Sequence, residues 1–178
     1  VLVVSADLRR PMIHTYLGAA PGPGLTDAVD RIEEDGIERV QLVDFLGSTT
    51  VRGTTILRSG HPVPHPGERL ALAMPLIDQA RHLFDLIVID TPAMFLGNDV
   101  NEMIGGVDLV MLVARAGSTT LEEAEWSRET TERLRAPVCG VALIGRWLEP
   151  RLGPQRVLWV LIGAWIAFYA VFFALMPS

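Results

Sequence analysis

The chain has 178 residues, 49% of them apolar, and a formal net charge of −6. That is enough apolar material for one packed domain, and the acidic balance excludes a basic nucleic-acid-binding surface as its main business. All 15 basic residues are arginines, and the single cysteine, Cys139, excludes an internal disulfide.

The first residue, Val1, opens an apolar run over residues 1–4 that reads as a strand covered on both faces. A chain that enters directly on a strand without Met is expected to continue upstream. The strand ends at Asp7-Leu8-Arg9-Arg10-Pro11, where proline stops further pairing. Residues 18–24 form a Gly/Pro-rich loop, and a helix is expected over 26–34 with Thr26 as its cap. Short strands are expected over 40–45 and 54–57, a loop over 60–67, and a helix over 68–83 whose apolar positions recur three and four apart. Residues 86–89 form the clearest buried strand and end at Asp90-Thr91-Pro92. A helix over 100–104, a buried strand over 109–114, a helix over 119–134 and a buried strand over 138–144 follow. The acidic start and arginine-rich end of the helix over 119–134 match its dipole. Strands alternating with helices in this way imply an α/β fold, a parallel sheet with flanking helices and right-handed crossovers.

Residues 157–176 differ in kind. They form an uncharged run of about 20 residues, the length of helix that crosses roughly 30 Å of hydrocarbon. Arg146, Arg151 and Arg156 precede it and no basic residue follows, which places the globular part on the cytoplasmic side. The expected organisation is therefore a domain over 1–147, a linker over 148–156 and a transmembrane helix over 157–176.

Two places carry residues suited to chemistry. Asp90 stands at the carboxyl end of a buried strand, where open α/β sheets bind ligands. It suits either a water-bridged magnesium ion beside nucleotide phosphates or a local cap on the turn before Pro92. Asp7 and Arg9 emerge just past another strand tip. They suit metal and phosphate binding, or a solvated turn held by a local ion pair. The cluster Glu122, Glu123 and Glu125 is a favourable first helical turn, and His14, His61, His65 and His82 lack metal-ligand spacing.

Several motifs, in order and at these spacings, resemble the bacterial tyrosine kinases that accompany polysaccharide chain-length regulators. They are Asp7-Leu8-Arg9-Arg10-Pro11, Gly24-Leu25-Thr26-Asp27-Ala28-Val29, Leu57-Arg58-Ser59-Gly60, Pro64-His65-Pro66-Gly67-Glu68-Arg69-Leu70, Ile89-Asp90-Thr91-Pro92 and residues 108–115. These kinases are similar to MinD and ParA ATPases, and the resemblance covers about residues 1–144.

The resemblance implies a P-loop NTPase sheet of MinD type, lacking here the first strand and phosphate loop, which in the family lie before the position of Val1. It implies ATP and Mg2+ as cofactors of the full-length domain. Asp7 and Asp90 become the Walker A′ and Walker B carboxylates that position Mg·ATP while a tyrosine hydroxyl attacks, and Arg9, Thr91 and Pro92 stand on the nucleotide side. It further implies a membrane polysaccharide copolymerase as partner, self-association and residence at the inner membrane. Three departures stand out. Ser5 replaces the first Walker A′ acid, Ala93 a proline, and Ile144 the base-facing asparagine. With no lysine anywhere in the sequence, this chain is expected not to bind ATP tightly. Two alternatives remain beside the kinase: a MinD/ParA-like ATPase switch, and a degenerate non-catalytic module of a membrane copolymerase.

Overall fold

The computed structural model describes residues 1–96 and 99–145. The run 157–176, expected to span a membrane, lies outside them, as do Arg146, Arg151 and Arg156. No helix of the described residues is long and apolar enough to cross a membrane.

Strand β1 (Leu2–Ser5) is the buried centre of a four-stranded sheet ordered β2-β3-β1-β4, with β2 Leu46–Ser48, β3 Thr55–Leu57 and β4 Ile87–Asp90. β3 and β4 both run parallel to β1, while β2 is antiparallel to β3. Alternation along β1 divides its side chains between two cores. Leu2 and Val4 face helices α2 (Leu25–Asp35) and α3 (Pro66–Ala80), packing with Ala28, Val29, Leu70, Ala73 and Leu76. Val3 joins Ile13 of the short helix α1 (Ile13–Tyr16), Leu17 and Ile56 on the other side.

Two expectations from the sequence are corrected here. Helix α2 is capped by Gly24, whose N–H donates to the Asp27 carboxylate at 2.8 Å. Thr26 is a fully buried residue inside the first turn, and its hydroxyl donates to the His61 carbonyl at 2.9 Å. Glycine is required at both sides of this loop crossing: a Cβ on Gly24 would lie 2.4 Å from the Gly60 nitrogen, and Gly60 itself has φ +84°. Second, the strand expected over 40–45 is replaced by 3-10 turns at Ile37–Arg39 and Leu42–Phe45. Gln79 takes the place of a neighbouring strand, accepting from the Leu42 N–H at 3.1 Å and donating to the Val40 carbonyl at 3.2 Å. The buried Leu42 and Phe45 are three apart, a helical rather than a strand spacing.

A second sheet pairs β5 (Val110–Ala116) in parallel with β6 (Val138–Gly145), joined by helix α5 (Leu121–Arg133). Thr120 caps α5 by accepting from the Glu123 N–H, while Glu123 accepts from the Thr120 N–H. Both strands read as buried in the sequence, yet among the described residues Val113 is 57% and Leu143 71% exposed. The sheet of β1 and the sheet of β5 are not hydrogen-bonded to each other, so the single parallel sheet expected from the sequence is divided in two. Between them a cleft of ≈ 600 Å³ is lined by Ile87 and Ile89 of β4, by Val110 and Met111 of β5, and by Met103 and Ile104 of the short helix α4 (Asn101–Ile104).

Candidate functional site

The parallel register sets β1 beside β4 with Ser5 opposite Asp90, so both strands release their chains at the same end of the sheet. The Ala6 N–H continues the ladder, donating to the Asp90 carbonyl at 2.8 Å. One residue further, Asp7 folds back in an Asx turn, and one carboxylate oxygen accepts from the Arg9 N–H at 3.1 Å and the Arg10 N–H at 2.9 Å. Strand pairing and the turn therefore bring Asp7 and Asp90 to one tip.

Their electrostatics show the proximity. Burial, and then the negative charge of Asp7, push the Asp90 carboxyl up from 3.8 to about 6. Ser5 deepens the cost of this corner, since it is fully buried and its hydroxyl oxygen has no hydrogen-bond partner. Two carboxylates fit a hard divalent cation that takes its remaining oxygens from water and phosphate, as magnesium does. Among the described residues no group of three or more His, Cys, Asp or Glu is placed to hold a metal ion. A cation here would be held by Asp7 and Asp90 together with ligand oxygens.

The remaining residues singled out by the sequence are distributed around this tip. Thr91 lines the cleft between β4 and β5, and Pro92 is buried beside it with no N–H to offer a ligand. Arg9 is turned to a different partner. Its Nε donates to one oxygen of Asp99 at 2.6 Å and its Nη2 to the other at 3.2 Å, a fork-to-fork pair. The Asp99 carboxylate holds the guanidinium firmly protonated. Sequence reading missed Asp99, which periodicity does not separate from an ordinary residue leading into a helix and whose partner lies 90 positions away. Arg58, part of one resembling motif, holds the loop over 18–24 by donating to the carbonyls of Ala20 at 2.7 Å and Pro23 at 3.0 Å.

No protein-family model matches the chain. Curated relatives do. It is 30% identical over 147 residues to the tyrosine-protein kinase ptk of Acinetobacter johnsonii, covering 80% of this chain and 19% of that protein. It is 25% identical over 151 residues to the tyrosine-protein kinase YwqD of Bacillus subtilis, covering 84% of this chain and 61% of that protein. The chain thus spans less than two thirds of either relative. Among solved structures, the kinase domain of the Escherichia coli tyrosine kinase ETK superposes with a TM-score of 0.71 at 26% identity, covering 81% of this chain and 55% of that one. The kinase domain of VpsO superposes with a TM-score of 0.67 at 27% identity, covering 81% and 69%.

Proposed function

Because the homologues of this chain are bacterial tyrosine kinases, we propose that it forms the magnesium-binding part of a protein-tyrosine autokinase domain serving exopolysaccharide or capsule assembly. The observation that carries this reading is the meeting of Asp7 and Asp90 at the tips of two paired parallel strands, close enough for one charge to disfavour the other. Asp7 and Asp90 would hold Mg2+, which when bound would offset part of the negative charge of the carboxylates and of the ATP phosphates. The work of the chain's own residues is to hold the two carboxylates at a fixed separation and partly shielded from water.

The cleft between β4 and β5 supports a further part of the reading. Each strand there has a partner on one side only among the described residues, and the apolar walls between them are edged by Arg81, Asp85 and Asp108. In this reading the cleft receives the strand that leads into a glycine-rich, lysine-bearing phosphate loop, contributed from outside the 178 residues. The run 157–176 is proposed as a membrane anchor that keeps the domain at the cytoplasmic face beside a polysaccharide copolymerase.

Ser5 in place of an acid favours a second reading, a non-catalytic module that keeps the fold. One experiment separates them. The full-length protein is expressed and probed for phosphotyrosine, alongside its Asp90→Asn and Asp7→Asn variants. The kinase reading expects a signal that falls at least about tenfold in both variants. A signal indifferent to Asp90, or no signal from a protein that carries a phosphate loop, leaves the non-catalytic module.

A further inference from the structure

We infer that Arg9 acts through Asp99 as a clamp that fixes the Asp7 turn, and that Asp99 is a positioning residue of the site. Its place past a strand tip suits the Arg9 guanidinium to a phosphate, but the geometry gives it other work. Both of its forked contacts go to one carboxylate, at 2.6 and 3.2 Å. The Asp99 side chain is only 8% exposed, whereas that of Arg9 is 40% exposed. Removing the guanidinium to a ligand would strand a buried, unpaired carboxylate, which is the costly way to break such a pair.

What the clamp holds is clear from the hydrogen bonds on either side of it. The backbone N–H of Arg9 itself donates to Asp7, as does that of Arg10. The guanidinium of the same residue then reaches the segment that follows β4, nine positions after Asp90. Asp99 is in turn pressed against the first turn of α3, where a Cβ on Gly67 would lie 3.2 Å from its Oδ1. The Asp7 carboxylate, the Arg9 backbone and side chain, Asp99 and the start of α3 form one connected chain. Without it, the Asp7 turn would be held only by its local bonds and by the packing of Ala6 and Leu8 in the core, because residue 7 lies beyond the last strand position of β1.

The inference rests on the proposed role of Asp7 and Asp90, but its test needs neither catalysis nor ATP. In the full 178-residue chain, amide exchange and the Arg9 Nε signal are followed by nuclear magnetic resonance, in the original protein and in Asp99→Asn. The expected result is a displaced Arg9 Nε signal and about tenfold faster exchange at the amides of Arg9 and Arg10, with the amides of Leu2–Ser5 unchanged. Arg9→Lys keeps a cation on Asp99 but loses the fork, so it is expected to give a smaller acceleration at the same two amides, about threefold. This second variant decides the matter if Asp99→Asn does not fold. Pyrophosphate with Mg2+ is then added to the original protein. A clamp leaves the Arg9 Nε signal in place. Unchanged exchange at Arg9 and Arg10 in the variants, or an Arg9 signal that moves onto pyrophosphate, overturns the inference, and either outcome leaves the kinase reading to its own assay.

Discussion

Replacing Asp90 by asparagine should stabilise the folded chain at neutral pH, although it removes the residue most closely tied to the proposed function. In the folded protein this carboxyl is raised from 3.8 to about 6 by burial and by Asp7. At 1.36 kcal/mol per pH unit, ionising it in the fold costs ~3 kcal/mol more than ionising it in the unfolded chain. The sign follows from proton counts. Between about pH 4 and pH 6 the folded state keeps a proton that the unfolded state has lost, so stability declines as pH rises through that window. Below it both states are protonated and the penalty vanishes. Above it the penalty is complete.

Asparagine has nearly the same shape and no charge. The expected gain is about 1–3 kcal/mol at pH 7.5, the lower end allowing for imperfect hydrogen bonding of the new amide, and close to zero at pH 4. Urea unfolding of both proteins at the two pH values measures this directly, since a change of midpoint with an unchanged slope reports stability. A variant that is less stable at pH 7.5, or a difference of the same size at both pH values, refutes the account of Asp90 as a buried carboxylate facing a like charge.

Two further outcomes test other parts of the structure. Gly24→Ala places a Cβ 2.4 Å from the Gly60 nitrogen and 2.5 Å from the Arg58 carbonyl, both backbone atoms that cannot turn aside. It should lower stability by roughly 2–4 kcal/mol in the same urea assay, and a loss below about 0.5 kcal/mol would show that the two loops do not cross so closely. Titration of the 178-residue chain with Mg·ATP in a calorimeter should give a Kd no tighter than about 1 mM, worth only ~4 kcal/mol, because no lysine or phosphate loop is present to bind the phosphates. Micromolar binding would mean that Arg residues and the Asp7–Asp90 tip suffice.

Much of this arrangement was legible in the sequence because it depends on local pattern. The β-branched run before Ser5 and the one before Asp90 specified strands, and both formed within a residue of their expected limits, β1 buried throughout and β4, expected as the clearest buried strand, only half-buried. The acidic start and arginine-rich end placed α5 almost as closely. What was not legible depends on partners distant in the chain. Residues 40–45 carry strand-like valine, leucine and phenylalanine, yet the amide of Gln79 satisfies their backbone and allows two 3-10 turns. Asp99 has no local signature, since its meaning comes wholly from Arg9. The division of the sheet was likewise hidden, because apolar strands such as β5 and β6 look the same in sequence whether or not their neighbours are present.

Ser5 bears on the electrostatics of the tip. Its position is directly opposite Asp90 in the parallel ladder and fully buried, so an acid there would be the third carboxylate of the cluster and the least solvated. Burial with Asp7 already raises Asp90 to about 6 with only two carboxylates present. A third could be kept ionised only by a compensating cation, and the guanidinium of Arg9, in the Asp7 turn, is already forked onto Asp99. A serine whose hydroxyl lacks a partner costs less than a buried, unneutralised carboxylate. The serine at position 5 therefore limits the negative charge of the tip to the two carboxylates that two paired strands and one Asx turn hold together.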